Sequence, residues 1–221
     1  MQSPFSLDSR LSLCAGFVRV GAKLADIGTD HAYLPVCLAL ENKIESAIAA
    51  DINPEPLSRG KQTIEKYNVS NKVSVRLCNG LQGISSEEVT DIVIAGMGAD
   101  TIIGIISDAQ WLKDKDKRLI LQPMTKGERV IKYLYDSGFE ITEQKCCIAE
   151  GKPYTVMCVA YTGHSTPCSE LFTYMGKLNP EIYKEDRAFL RMQAGILMKR
   201  SAADEKYKKL AQIISERTDS E

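Results

Sequence analysis

The sequence predicts an α/β fold: a doubly wound, mostly parallel sheet with helices on both faces, closed by an antiparallel hairpin. Three observations predict it. Short apolar runs alternate with segments of helical period as far as Tyr161, the pattern of strand–helix crossovers. The first five runs are nearly continuous hydrophobics, as strands covered on both faces must be. The last two are joined only by Glu150-Gly151-Lys152-Pro153, which permits an antiparallel pair and no parallel crossover.

In chain order the predicted strands are 23–27, 47–52, 73–77, 91–95 and 118–122, followed by 139–148 and 154–161. Helical segments fill the gaps. In 54–67, Leu57, Ile64 and Tyr67 recur at helical spacing, and in 126–137 Val130, Ile131, Leu134 and Tyr135 do. Five parallel strands closed by a hairpin make a seven-stranded, Rossmann-like sheet of the class I methyltransferase type. A dinucleotide dehydrogenase has six parallel strands instead.

After Tyr161 the composition changes. Gly163-His164-Ser165-Thr166-Pro167 is linker-like and Asn179-Pro180 is a second break. Beyond it, Ile182, Phe189 and Ile196 recur every seven residues, flanked by Leu190 and Leu197. Ala203, Tyr207, Leu210 and Ile214 follow at spacings of four, three and four. Each stripe suits one helix packed on another, with 201–204 as the turn. A helical hairpin or coiled coil is therefore expected over 164–221, appended to an α/β domain over 1–163.

Whole-chain properties narrow the class. The 221 residues, 44% hydrophobic and 26% charged, suit a globular protein with one full core. No run approaches the roughly 18 apolar residues of a membrane span, and the N-terminus lacks a basic segment followed by an apolar one. A cytoplasmic protein without membrane contact is expected, with a monomer as the default state. Seven cysteines, an odd number without CxxC spacing, and only two histidines give neither a disulfide framework nor a zinc site. No metal is expected. The net charge of −1 neither demands nor forbids nucleic acid.

In open α/β sheets the ligand lies beyond the carboxyl ends of the central strands. Four such ends carry chemistry here. The first reads Asp26-Ile27-Gly28, where glycine allows close approach of backbone to ligand. The second reads Asp51-Ile52, a carboxylate placed to accept both hydroxyls of a ribose. The third is Asn79-Gly80-Leu81, with an amide oxygen able to accept from an adenine amino group. The fourth is Ala95-Gly96-Met97-Gly98, a compact turn that lets a planar substrate approach.

Together these ends describe an adenosine-shaped site without a phosphate cradle. A pyrophosphate prefers backbone N–H groups at a helix start, and Asp30 there would repel it. A sulfonium and an ammonium would be attracted, so S-adenosyl-L-methionine suits the loop better than NAD. Asp30 also suits capping of a helix beginning near Ala32. His31 is open between a cofactor or substrate contact and a structural role, and Tyr33 between stacking on a base and packing in the core.

At this point the residues resemble a known family. Asp26-Ile27-Gly28-x-Asp30-His31-Ala32-Tyr33-Leu34-Pro35 is similar to the first motif of the bacterial tRNA (adenine(22)-N1)-methyltransferase family, TrmK. So are Ile94-Ala95-Gly96-Met97-Gly98 and Leu119-Ile120-Leu121-Gln122-Pro123, and Ser9-Arg10-Leu11 and the C-terminal hairpin fit the same layout. The resemblance implies S-adenosylmethionine as methyl donor and adenosine N1 in the D-arm region of tRNA as acceptor. Asn79 departs from the acid often found at its place, and Met124-Thr125 departs from the expected pattern on the substrate side.

On this reading Asp30 is the candidate catalytic carboxylate, set to stabilise the positive charge that methylation leaves on the base. Candidate tRNA contacts are Arg10, Arg19, Tyr33, Gln122, Lys126, Arg129, Lys199 and Arg200, since RNA binding needs phosphate contacts from cations. Two alternatives stand beside it. One is a class I methyltransferase with another acceptor. The other is a non-catalytic RNA-binding protein of the same fold, against which the retention of Asp26, Gly28, Asp51 and Gly96 argues.

Overall fold

The computed structural model describes residues 5–219. Helix α1 (Ser9–Phe17) precedes an alternation of β1 (Ala22–Ile27), α2 (Tyr33–Leu40), β2 (Ile44–Asp51), α3 (Pro54–Lys66) and β3 (Val73–Leu77). Then come β4 (Asp91–Gly98), α4 (Ala99–Asp108), β5 (Arg118–Thr125), α5 (Gly127–Asp136), β6 (Phe139–Ala149) and β7 (Lys152–Tyr161). Three helices finish the chain: α6 (Glu170–Met175), α7 (Lys184–Arg200) and α8 (Lys206–Asp219).

The strands form one seven-stranded sheet in the order β3-β2-β1-β4-β5-β7-β6. The first five are mutually parallel, while β7 runs antiparallel to both β5 and β6. The order reverses between β1 and β4, which opens a crevice at their carboxyl ends. The β6–β7 connection is two residues, Glu150 and Gly151, at φ +50° and +73°. Positive φ at both positions is what a tight hairpin needs to match the strand twist.

Side chains alternate between two cores. Ile27, Ile92, Ile94, Leu119 and Leu121 face α4 and α5. Leu24, Ala47, Ala49, Val93 and Ile120 face α1 and α2. A third core holds the C-terminal helices. There the expected seven-residue stripe is corrected by one position: Ile182 is 67% exposed and Ile196 37%, and only Phe189 of the three is buried. The seam is instead Leu190, Ala194 and Leu197 against Leu210, Ala211 and Ile214. The helices also bury Tyr174 and Met175 of α6 and reach Cys146 of β6, so the seam serves a helix–sheet–helix packing rather than a free-standing pair.

Candidate active site

A cavity of about 540 Å³ opens at the carboxyl ends of β1, β2 and β4, within the range of small-molecule sites. Gly28, Asp51, Ile52, Asn79, Gly80, Leu81 and Met97 line it, as the sequence predicts. One part of its wall was not anticipated: Thr101, Gly104, Ile105 and Asp108 of α4, then Trp111. Ile102 and Ile106, four apart and ahead of the chain's single tryptophan, carried the helical signal that would have found it.

Gly28 is favoured by its φ of +79°; the terminal methyl of Met97, which can swing aside, lies where a Cβ would project. The backbone N–H groups of Gly28 and Thr29 both donate to the Ala50 carbonyl, at 2.8 and 3.1 Å, which ties the β1 turn to β2. The Asp51 carboxylate accepts from the Asn53 N–H at 2.7 Å and lines the cavity from the end of β2. Gly80, at φ +56°, has Ile105 packed where a Cβ would project.

Several predicted cofactor residues stand outside the cavity wall. Asp26 is 7% exposed and sits behind the turn. Burial pushes its carboxyl up to about 6, the Asp51 charge adds to this, and a hydrogen bond from the Thr29 side chain opposes it. Asp30, His31, Ala95 and Gly96 do not line the cavity either. Asp30 does not cap α2: the Ala32 N–H donates to Thr29 Oγ1 at 3.1 Å, and Ala32 itself adopts φ +54°. The exposed Asp30 carboxylate instead accepts from Arg59 Nη2 at 2.5 Å, with His31 Nε2 at 3.4 Å. The His31 ring stacks on Tyr33 at 5.0 Å and 11°, and Tyr33, 42% exposed, is not a core residue.

The structure corrects two predicted tRNA contacts. Arg19 lies at the opposite end of the sheet, where it donates to buried Asp91, to the Thr90 carbonyl and to the Asp116 carbonyl. That arrangement holds the starts of β4 and β5 together. Gln122 is 1% exposed. Its Oε1 accepts from the Gly96 N–H at 3.0 Å and its Nε2 donates to the Pro123 carbonyl at 3.2 Å. The ladder slips between Ala95 and Met97, and the Gln122 side chain satisfies the N–H that the slip leaves over. Gln122 thus holds the bulge that turns Met97 into the cavity wall.

The other cations are on the surface. Arg129 pairs with Asp100 at 2.6 Å, Arg200 with Glu128 at 3.0 Å, and Lys126 and Lys199 are exposed. Arg10 pairs with Asp8 at 2.9 Å and lies against Met124 and Tyr154.

The family profile described as "Methyltransferase domain" matches residues 7–157. The tRNA (adenine(22)-N(1))-methyltransferase of Bacillus subtilis is 35% identical over 151 residues, 68% of this chain and 63% of that protein. The solved structure of TrmK from B. subtilis superposes with TM-score 0.80 at 27% identity, covering 96% of each chain. Sp1610 of Streptococcus pneumoniae, solved in complex with S-adenosyl-L-methionine, superposes with TM-score 0.86 at 30% identity, covering 96% of this chain and 100% of that one. The chain belongs to the TrmK family. The sequence match spans just under two thirds of the curated B. subtilis relative, whereas the structural matches cover 96% of this chain. In this TrmK-family chain the turn at Gly28 and the end of β2 at Asp51 line one cavity.

Proposed function

We propose that the chain methylates N1 of adenosine 22 in tRNA with S-adenosylmethionine as methyl donor. The observation that carries the reading is the cavity between Gly28, Asp51 and Met97, together with membership of a family whose B. subtilis member has that activity. When bound, S-adenosylmethionine supplies an electrophilic methyl group on a sulfonium. Asp51 would accept from the ribose hydroxyls and Asn79 from the adenine amino group, with Gly28 and Met97 in the wall beside them. Asp26 acts from behind the turn by holding its shape.

Adenine N1 has a free lone pair, so the chain's residues align more than they activate, and alignment supplies up to roughly 7–11 kcal/mol. Methyl transfer from the sulfonium to N1 would leave the base cationic. Asp30 is the carboxylate assigned to that charge, held at its place by Arg59 and His31. The acceptor side is the surface of Arg10, Lys126, Arg129, Lys199 and Arg200, to which the helical unit over 164–221 contributes its cations.

Mass-spectrometric nucleoside analysis of unmodified tRNA incubated with the protein and S-adenosylmethionine tests the reading. N1-methyladenosine at position 22 is the expected product. A methyl group on another nucleotide, or none on tRNA, overturns the acceptor assignment.

A further inference from the structure

A second cavity, of about 530 Å³, opens where the carboxyl end of β5, the β6–β7 hairpin and α7 meet. Its edge at Pro123 is the register partner of Met97, so it begins one strand spacing, about 4.8 Å, from the wall of the first. Tyr154 and Met124 stand between it and a third hollow of about 340 Å³, which Arg10 lines. The Arg10 guanidinium lies 5.2 Å from the centroid of the Tyr154 ring, and its Nη2 is held by Asp8 at 2.9 Å. Arg10 lines the third hollow and not the second. Arg10 thus covers one face of the ring, and Tyr154 also borders the larger cavity.

The rest of that cavity combines two chemistries. Ile196 of α7 gives it an apolar wall, 37% exposed, while Lys126 and Lys152 stand on its rim as exposed cations. Arg200 adds a third cation, neutralised in part by Glu128 at 3.0 Å. An apolar peptide has no use for the cations, and a small anion has no use for the aromatic wall. A nucleotide uses both, its base on the ring and its phosphate toward the lysines.

We propose that this cavity receives one unpaired base of the RNA substrate, a neighbour of the adenosine that is methylated, stacked on the face of Tyr154 opposite Arg10. The proposal rests on the reading of the chain as a tRNA methyltransferase. It adds a base platform, distinct from the cofactor cavity, that fixes where the RNA strand lies while the acceptor base reaches Met97. A stack of this kind contributes to affinity for RNA and not to the methyl-transfer step.

Steady-state methylation by the full chain tests it, with unmodified tRNA as acceptor. Tyr154→Ala is expected to raise KM for tRNA about tenfold, with kcat and cofactor Kd changed less than about twofold, the scale of losing one stacked base. Tyr154→Phe keeps the ring and restores most of the affinity. Ile196→Glu, a half-exposed position that does not threaten folding, is expected to raise KM through the opposite wall. A KM unmoved in Tyr154→Ala and Ile196→Glu, or a fall in kcat alone, overturns the platform. Should the wild-type protein methylate no tRNA, the activity assignment fails by itself. The platform is then judged by fluorescence anisotropy with a short single-stranded oligoribonucleotide: binding that weakens about tenfold in Tyr154→Ala supports it, and equal or absent binding overturns it.

Discussion

The two cavities flank the Met97–Pro123 pair and are built in opposite ways. The cofactor cavity is made largely from backbone turns at strand ends, with Gly28 and Gly80 in the left-handed region and short polar side chains beside them. The second cavity is made from long side chains that meet from β5, β7 and α7, backed by Arg10 of α1, whose partner Met124 is 114 positions away. The difference teaches where precision comes from. A turn locked by hydrogen bonds such as those to the Ala50 carbonyl presents fixed groups to a fixed ligand. A convergence of flexible side chains suits a polymer that must be admitted, held and released.

The largest expected effect lies on the rigid side. Asp51→Ala removes a carboxylate that lines the first cavity and is proposed to hold the ribose, and bonds to charged groups contribute about 1.5–3 kcal/mol each. Cofactor Kd, measured by calorimetry, is expected to rise about 100-fold or more, with affinity for tRNA unchanged. A matching loss of tRNA binding would erase the separation between the two cavities. Gln122 tests the seam between them. Gln122→Leu leaves the Gly96 N–H without its partner at 3.0 Å and frees the bulge that aims Met97. A buried bond of this kind is worth about 1–2 kcal/mol, so kcat should fall about tenfold while cofactor Kd moves little. Gln122→Glu keeps the acceptor for Gly96 and should recover part of kcat. A loss of cofactor affinity equal to the loss of kcat would place Gln122 wholly on the cofactor side.

The same contrast explains what the sequence made legible. All seven strands, the helices over 54–66 and 127–136, and the hairpin turn at Glu150-Gly151 follow from period, breakers and turn chemistry, which act between near neighbours. So do Gly28, Asp51 and Asn79, because strand ends in this fold converge by rule. Trp111 escaped because the helix just before it, α4, was not assigned, and Tyr154 because a ring's partners across a fold leave no local mark. Arg19 and Gln122 were misread for one reason: a polar residue that holds a ladder together has the same composition signal as one that meets a ligand. Asp30 was placed in the cofactor loop without its counter-ion, since Arg59 is 29 positions away on α3.

Asp26 gives the smallest effect and separates shape from contact on the rigid side. Burial, with Asp51 nearby, holds its carboxyl at about 6 in the folded chain, against 3.8 for the free group. Between those two values the folded protein binds more protons than the unfolded one, so stability rises as pH falls from about 7 toward 4. Above about 6 the carboxylate is ionised in a buried place, and the cost is on the order of 2–3 kcal/mol. The wild-type melting temperature is therefore expected to drop by several degrees between pH 5 and pH 8. Asp26→Asn should flatten that slope, because the amide carries no charge to bury. Parallel profiles for the two proteins would show that the ionised carboxylate is not what strains the turn. If the slope does flatten, cofactor affinity of the same variant tells whether the charge serves binding. A residue behind the wall that only shapes the turn leaves Kd nearly unchanged, whereas one whose field reaches the sulfonium weakens it measurably.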